Sequence, residues 1–167
     1  PEDLSALPVW QLVEDVRIGA VDGGDQNLTR VNGLLPLPDG RVWIMRPDDH
    51  QFRMYGADGE FVRTVGAEGS APGEFRLPRL LGWWGESRDT IWVLDGTRRI
   101  SLLSEDGEFL RSFDRGPFEY DGRWEVALPD VILPDGTALG IARKNQPEEL
   151  GDNRIVHYDP ETGPVYR

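Results

Sequence analysis

The sequence predicts an all-β protein built from repeats, and three observations carry that expectation. Asp58–Gly66 (DGEFVRTVG) and Asp106–Asp114 (DGEFLRSFD) are nearly the same nine residues, 48 positions apart (106 − 58). Self-similarity at a fixed period of about 20–50 residues is the mark of a repeat architecture. Arg41–Met45 (RVWIM) and Thr90–Leu94 (TIWVL) are β-branched and aromatic, and apolar on consecutive positions, the pattern of strands covered on both faces. Asp-Gly pairs at Asp39-Gly40, Asp58-Gly59, Asp106-Gly107 and Asp135-Gly136 separate such runs. Asp-Gly is a hairpin-turn signal because Gly accepts positive φ and Asp tolerates it.

Residues 1–30 contain VWQLVEDVRIG (Val9–Gly19). Trp10, Val13 and Val16 would form a helical stripe, whereas the alternation about Trp10 and Leu12 reads as a strand. In an all-β repeat the expectation is an extra N-terminal strand that completes the last unit of a ring. The first unit runs over 31–78 with its linker, the second over 79–126 with its linker, and the third over 127–167. Each reads strand, turn, strand, loop, strand, turn, strand. Three further Asp-Gly pairs (Asp22-Gly23, Asp95-Gly96, Asp121-Gly122) read as longer loops. The third unit is the most divergent, with an insertion around Pro147–Asn153 and Leu139 where the others carry Trp43 and Trp92. Four antiparallel strands per period of about 40–50 residues describe a β-propeller blade. The predicted fold is therefore a partial ring of about three four-stranded blades, with Trp43 and Trp92 on second strands wedged between neighbours.

Composition narrows the function. Of 167 residues, 18 are basic and 30 acidic, a formal charge of −12. A field of that sign repels phosphate backbones, and the arginines are scattered among acids, so nucleic-acid binding is not expected. No apolar run approaches a membrane span. The absence of Cys removes disulfides, cysteine-based zinc sites and cysteine nucleophiles.

The linker GAEGSAPGEFRLPR (Gly66–Arg79), followed by IWVLDGTRRISLLSEDGEFLRSF, resembles the NHL repeat. The matching residues are Pro72, Gly73, Glu74, Phe75, Pro78, Trp92, Val93, Asp95, Arg99, Ile100, Asp106 and Gly107. More narrowly, the chain is similar to the N-terminal half of a bacterial extracytoplasmic six-bladed β-propeller, in which a Trp- and RIG-containing segment precedes the first blade. That resemblance implies a periplasmic, secreted or lipid-anchored location. Arg46, where the second unit has Asp95, and the GESRD turn of the second unit depart from the pattern.

Propellers close with about 4–8 blades, so three blades leave two apolar flanks. Burying roughly 600 Å² on one flank is worth on the order of 15 kcal/mol at ~25 cal/mol/Å². The expectation is that the flanks are covered by the remaining blades of a longer chain, or by flank-to-flank self-association.

The loops between second and third strands share one rim with the linkers. That rim holds Asp48, Asp49 and His50 from the first unit, Asp95, Arg98 and Arg99 from the second, and Asn145 from the third. A mixed charged mouth over a channel is the default place for a ligand. Each residue also has a plainer role. Asp95 and Arg99 belong to the NHL-repeat pattern that the chain resembles, which favours a structural turn and an inter-blade contact. Glu74 precedes Phe75 and suits a bond to the linker backbone. Asp48, Asp49 and His50 stand in a loop one residue longer than its counterpart, which a solvated loop explains. His157 in RIVHYD reads as a packed or edge histidine.

Lactonase-like propellers hold a calcium-class cation with converging oxygen ligands. Asp48, Asp95 and Asn145 are the set that would do so here, so Ca²⁺ belongs to that alternative, with a site shared with further blades. A zinc site is hard to build from His50 and His157. No nucleophile motif or phosphate loop is present. The reading favoured is a non-catalytic module that offers its rim to a protein, peptide or glycan, with no cofactor. The alternative is a cation-dependent hydrolase or lyase.

Overall fold

The computed structural model describes residues 11, 13–19, 27–28, 30–96, 98–114, 118–120, 124–144 and 153–164. Its strands form three antiparallel sheets, each visited in chain order. The first contains β1 (Gly33–Pro36), β2 (Val42–Arg46), β3 (Gln51–Tyr55) and β4 (Phe61–Val65). The second contains β5 (Pro78–Trp83), β6 (Thr90–Asp95), β7 (Arg99–Ser104) and β8 (Phe109–Asp114). The third contains β9 (Phe118–Tyr120), β10 (Trp124–Ile132), β11 (Ala138–Lys144), β12 (Asn153–Asp159) and β13 (Gly163–Pro164). Among the described residues the only helical turn is a single 3₁₀ turn at Pro47–Asp49.

The four Asp-Gly pairs all close hairpins, and they do so identically. In Leu37–Arg41 the amide of Gly40 donates to Leu37 O at 3.1 Å, and that of Leu37 donates to Arg41 O at 2.8 Å. The same two bonds recur at Gly56–Glu60, Ser104–Glu108 and Leu133–Thr137. This is a type I turn followed by a left-handed Gly that forms a bulge. Only the Gly takes positive φ, between 82° and 88° at Gly40, Gly59, Gly107 and Gly136. The Asp is there as an acceptor: Asp39, Asp58 and Asp135 Oδ1 each receive the amide two residues on, at 3.0 Å. The carboxylate thus satisfies a backbone donor that the turn leaves open. The bulges recur with the repeat, between Met54 and Tyr55 in one sheet and Leu102 and Leu103 in the next.

Period-2 alternation sorts the apolar side chains of β6 onto two cores. Ile91 and Val93 join Trp43, Met45, Phe52, Met54, Phe75 and Leu103 between the first and second sheets. Trp92 and Leu94 join Ile100, Leu102, Trp84, Phe113 and Ile132 between the second and third. That double burial is why TIWVL carries no polar residue between Thr90 and Leu94. Trp43 is fully buried and its indole N–H donates to Glu105 O, in a turn of the second sheet, at 3.2 Å.

Two ion pairs repeat at the period. Arg63 on β4 reaches Glu108 in the β7–β8 turn at 3.7 Å, and Arg111 on β8 reaches Glu161 in the β12–β13 turn at 2.5 Å. Each arginine links the fourth strand of one sheet to the outer turn of the next.

Three features differ from the sequence expectation. The third sheet has five strands rather than four, and it starts at Phe118, inside the stretch assigned to the second linker. Trp124–Val126 pairs with β9 before Pro129 disturbs the register with β11. Proline has no N–H to give a ladder, so the strand bulges there and continues. The expected N-terminal strand is not formed by 13–19, which run as irregular chain. They lie instead against the β3–β4 turn, where a Cβ on Gly59 would come within 2.7 Å of Val16 Cγ1. Residues 1–10 and the insertion at 147–152 lie outside the described residues.

One face of the third sheet, turned away from the second, is apolar and open. Ile141 and Ile155, directly opposite in register, stand there exposed, Ile155 at 80 %.

Candidate functional site

The loops singled out in sequence, 46–50 and 96–98, lie at one end of the sheets together with the linker 66–77. The linker is held by an acid and a base of the second sheet. Asp95, only 6 % exposed, accepts the amides of Arg76 and Leu77 on Oδ1 at 2.9 and 2.6 Å. Its Oδ2 lies 2.7 Å from Arg99 Nη2. Arg99 in turn donates to the carbonyls of Ser70, at 2.8 Å, and of Glu74. Glu74 Oε2 accepts the amide of Ala71 at 2.9 Å, the linker role the sequence suggested for it. Phe75 anchors the same loop, edge-on to Phe52 with ring centroids 5.3 Å apart. The ring passes so close to Gly66 (φ 87°) that a Cβ there would meet it at 2.6 Å.

The acids of the longer loop are also matched to arginines. Asp48 pairs with Arg30 at 2.9 Å, and Asp49 with Arg46 at 2.8 Å. The 3₁₀ turn ends at His50 in the left-handed region (φ 57°), and its Nδ1 is buried without a hydrogen-bond partner. Arg98 is exposed in the β6–β7 turn. Asn145 lies outside the described residues. Among the described residues no three His, Cys, Asp or Glu side chains gather into a group able to hold a metal.

His157 is part-buried on β12, as a packed histidine would be. Thr137 Oγ1 lies 2.5 Å from both His157 Nε2 and Asp135 Oδ1. Thr137 thereby ties His157 to the β10–β11 turn.

At the opposite end, Arg41 connects the β1–β2 turn to the second sheet. Its Nε lies 2.6 Å from Asp39 Oδ2 and its Nη1 2.6 Å from Asp106 Oδ1. Asp39 is held below its ordinary value chiefly by the Arg41 backbone N–H, with burial working the other way and the Arg41 side chain assisting. Arg41 is raised above its ordinary value, first by the bond to Asp106.

That end also holds a feature the sequence reading did not select. A groove of about 530 Å³ opens between the β5–β6 edge and β10, lined by residues of 81–92 and 130–134. The signal was present in the adjacent Trp83 and Trp84 and in the GESRD turn, but its other wall comes from the third unit.

No family model matches the chain, and no curated protein matches it in sequence. Its fold is similar to that of a candidate exported protein of Bacteroides fragilis, with a TM-score of 0.62 and 21 % identity over 86 % of this chain and 38 % of that one. It is also similar to a protein of unknown function from Bacteroides caccae, with a TM-score of 0.50 and 16 % identity over 80 % of this chain and 47 % of that one. The chain therefore spans less than half the length of either. Among the described residues no helix is long and apolar enough to cross a membrane.

Proposed function

We propose that the three sheets are consecutive blades of a six-bladed, NHL-like β-propeller and that the chain is a non-catalytic binding module outside the bacterial cytoplasm. Its loop end, with Arg30, Asp48, Asp49, His50 and Arg98, is offered to a protein, peptide or glycan. The observation that carries this reading is the use made of the charged groups there. Asp95 and Arg99, the repeat's own acid and base, are spent on the linker backbone. Asp48 and Asp49 each face a guanidinium. Carboxylates matched to arginine in this way give a patterned polar surface suited to selective docking, whereas a hard cation needs several oxygens free to converge.

The blade reading is supported by the meander order of each sheet, the side-by-side packing and the ion pairs repeated 48 positions apart (111 − 63). The open face of the third sheet would be covered by further blades of a longer chain or by a second copy. The likeness to a candidate exported protein supports the location.

The test is an array of peptides and glycans probed with the protein and with the Asp48→Lys/Asp49→Lys variant. Binding that disappears on charge reversal supports the proposal. Retained binding in that variant overturns it, as does calcium-dependent hydrolysis of a lactone or ester that is lost in Asp48→Ala.

A further inference from the structure

The groove between the second and third sheets lies at the end away from the rim loops, so what it binds is independent of the reading above. Its charged residues are Glu86, Arg88 and Asp130. None of the three side chains makes an ion pair or hydrogen bond with the described residues. Arg88 sits in the left-handed region at φ 54°, a conformation that is uncommon for a non-glycine residue and collects at functional sites. The loop is held in this shape by Asp89, which accepts from Ser87 Oγ at 2.8 Å and Thr90 Oγ1 at 2.9 Å.

The groove also exposes a donor from the core. Trp92 is 4 % exposed, and its indole N–H has no acceptor among the described residues. Gly82 is the reason the N–H is not covered. It stands opposite Trp92 in register, and a Cβ there would lie 2.8 Å from Nε1. The indole N–H opens onto the groove, where an acceptor on a ligand can take its hydrogen bond. The partly exposed Trp83, with Val131 and Pro134, supplies apolar wall beside it.

The pattern of charges selects the ligand class. A cationic side chain would gain Glu86 and Asp130 but meet Arg88. An anion would gain Arg88 but meet two carboxylates. Hydroxyl groups donate and accept, so a polyhydroxylated ring satisfies both carboxylates, the guanidinium and the indole N–H together. Its apolar face lies against tryptophan and proline. The volume falls in the range of small-ligand sites. We propose that this groove binds a neutral oligosaccharide.

The probes are cellohexaose, maltohexaose, mannohexaose and xylohexaose, titrated into ¹⁵N-labelled protein. The readout is the Trp92 indole N–H resonance, assigned with Trp92→Phe. The expected result is a saturable shift with at least one sugar. Asp130→Asn and Glu86→Gln should each weaken it at least about tenfold, as loss of a hydrogen bond to a charged group does. Gly82→Ala should abolish it, and because that change also crowds a buried ring, the exposed Asp130→Asn is the decisive variant. The proposal is overturned if no sugar shifts the resonance up to about 10 mM, or if the shift survives Asp130→Asn. It is equally overturned if hexalysine moves the resonance and the sugars do not, which would make the groove a site for cationic peptides.

Discussion

Asp95 and Arg99 face each other across the β6–β7 register and divide the linker between them. The carboxylate takes two linker amides and the guanidinium takes two linker carbonyls, while 2.7 Å separates Oδ2 from Nη2. One acid and one base thereby satisfy four backbone groups of a loop with little secondary structure of its own. Such groups are costly if buried unpaired, so the pair decides the path by which the chain passes from the first sheet to the second.

Removing one partner strands the other. Asp95→Asn should destabilise the protein by about 3 kcal/mol, because it leaves Arg99 partly buried without its counter-charge. Urea denaturation measures this, and cleavage within 66–77 under limited proteolysis should rise in parallel. A variant as stable and as resistant as the parent would refute the linker role.

Two glycines separate backbone strain from crowding. Gly107 has φ 86°, and a Cβ on it would lie 2.6 Å from Val65 Cγ2 in the neighbouring sheet. Gly96 has φ 61° with nothing within 4 Å of an added Cβ. Gly96→Ala should cost about 1 kcal/mol, the left-handed penalty alone. Gly107→Ala should cost about 3 kcal/mol, with the clash added. Thermal or urea midpoints that rank them the other way would contradict the packing of the first two sheets.

Asp39 gives an acid dependence with a definite sign. Its carboxyl is held below the ordinary value of 3.8, so the folded state favours the ionised form. The contribution is complete above the unfolded value and fades as pH falls through the lowered folded one. The stability gap between the parent and Asp39→Asn should be constant above about pH 5 and shrink steadily below about pH 4. Urea titrations at several pH values check this. A gap that widens on acidification would reverse the assignment.

The apolar face of the third sheet should govern association. Ile141 and Ile155 are exposed on it, and exposed apolar patches of this kind mark interaction surfaces. Ile141→Lys/Ile155→Lys should shift sedimentation of the chain toward the monomer while the urea midpoint moves little. An unchanged sedimentation profile would show that this face is not the associating surface.

The sequence by itself determined the elements that recur within one unit. The Asp-Gly turns and the twice-covered strand at TIWVL were legible because backbone chemistry and period-2 burial write similar residues each time they act. Even there the sequence misassigned one role, since Asp39, Asp58 and Asp135 serve as side-chain acceptors rather than left-handed residues. The fifth strand of the third sheet was hidden because β9 is three residues long and Pro129 breaks its partner's pattern. The groove was hidden for a different reason. Trp92, Gly82 and Arg88 belong to one unit and Asp130 to the next, and only the packing of two sheets places them around the same space. Local chemistry fixes turns and strands, but a surface shared by two sheets exists only once they have packed.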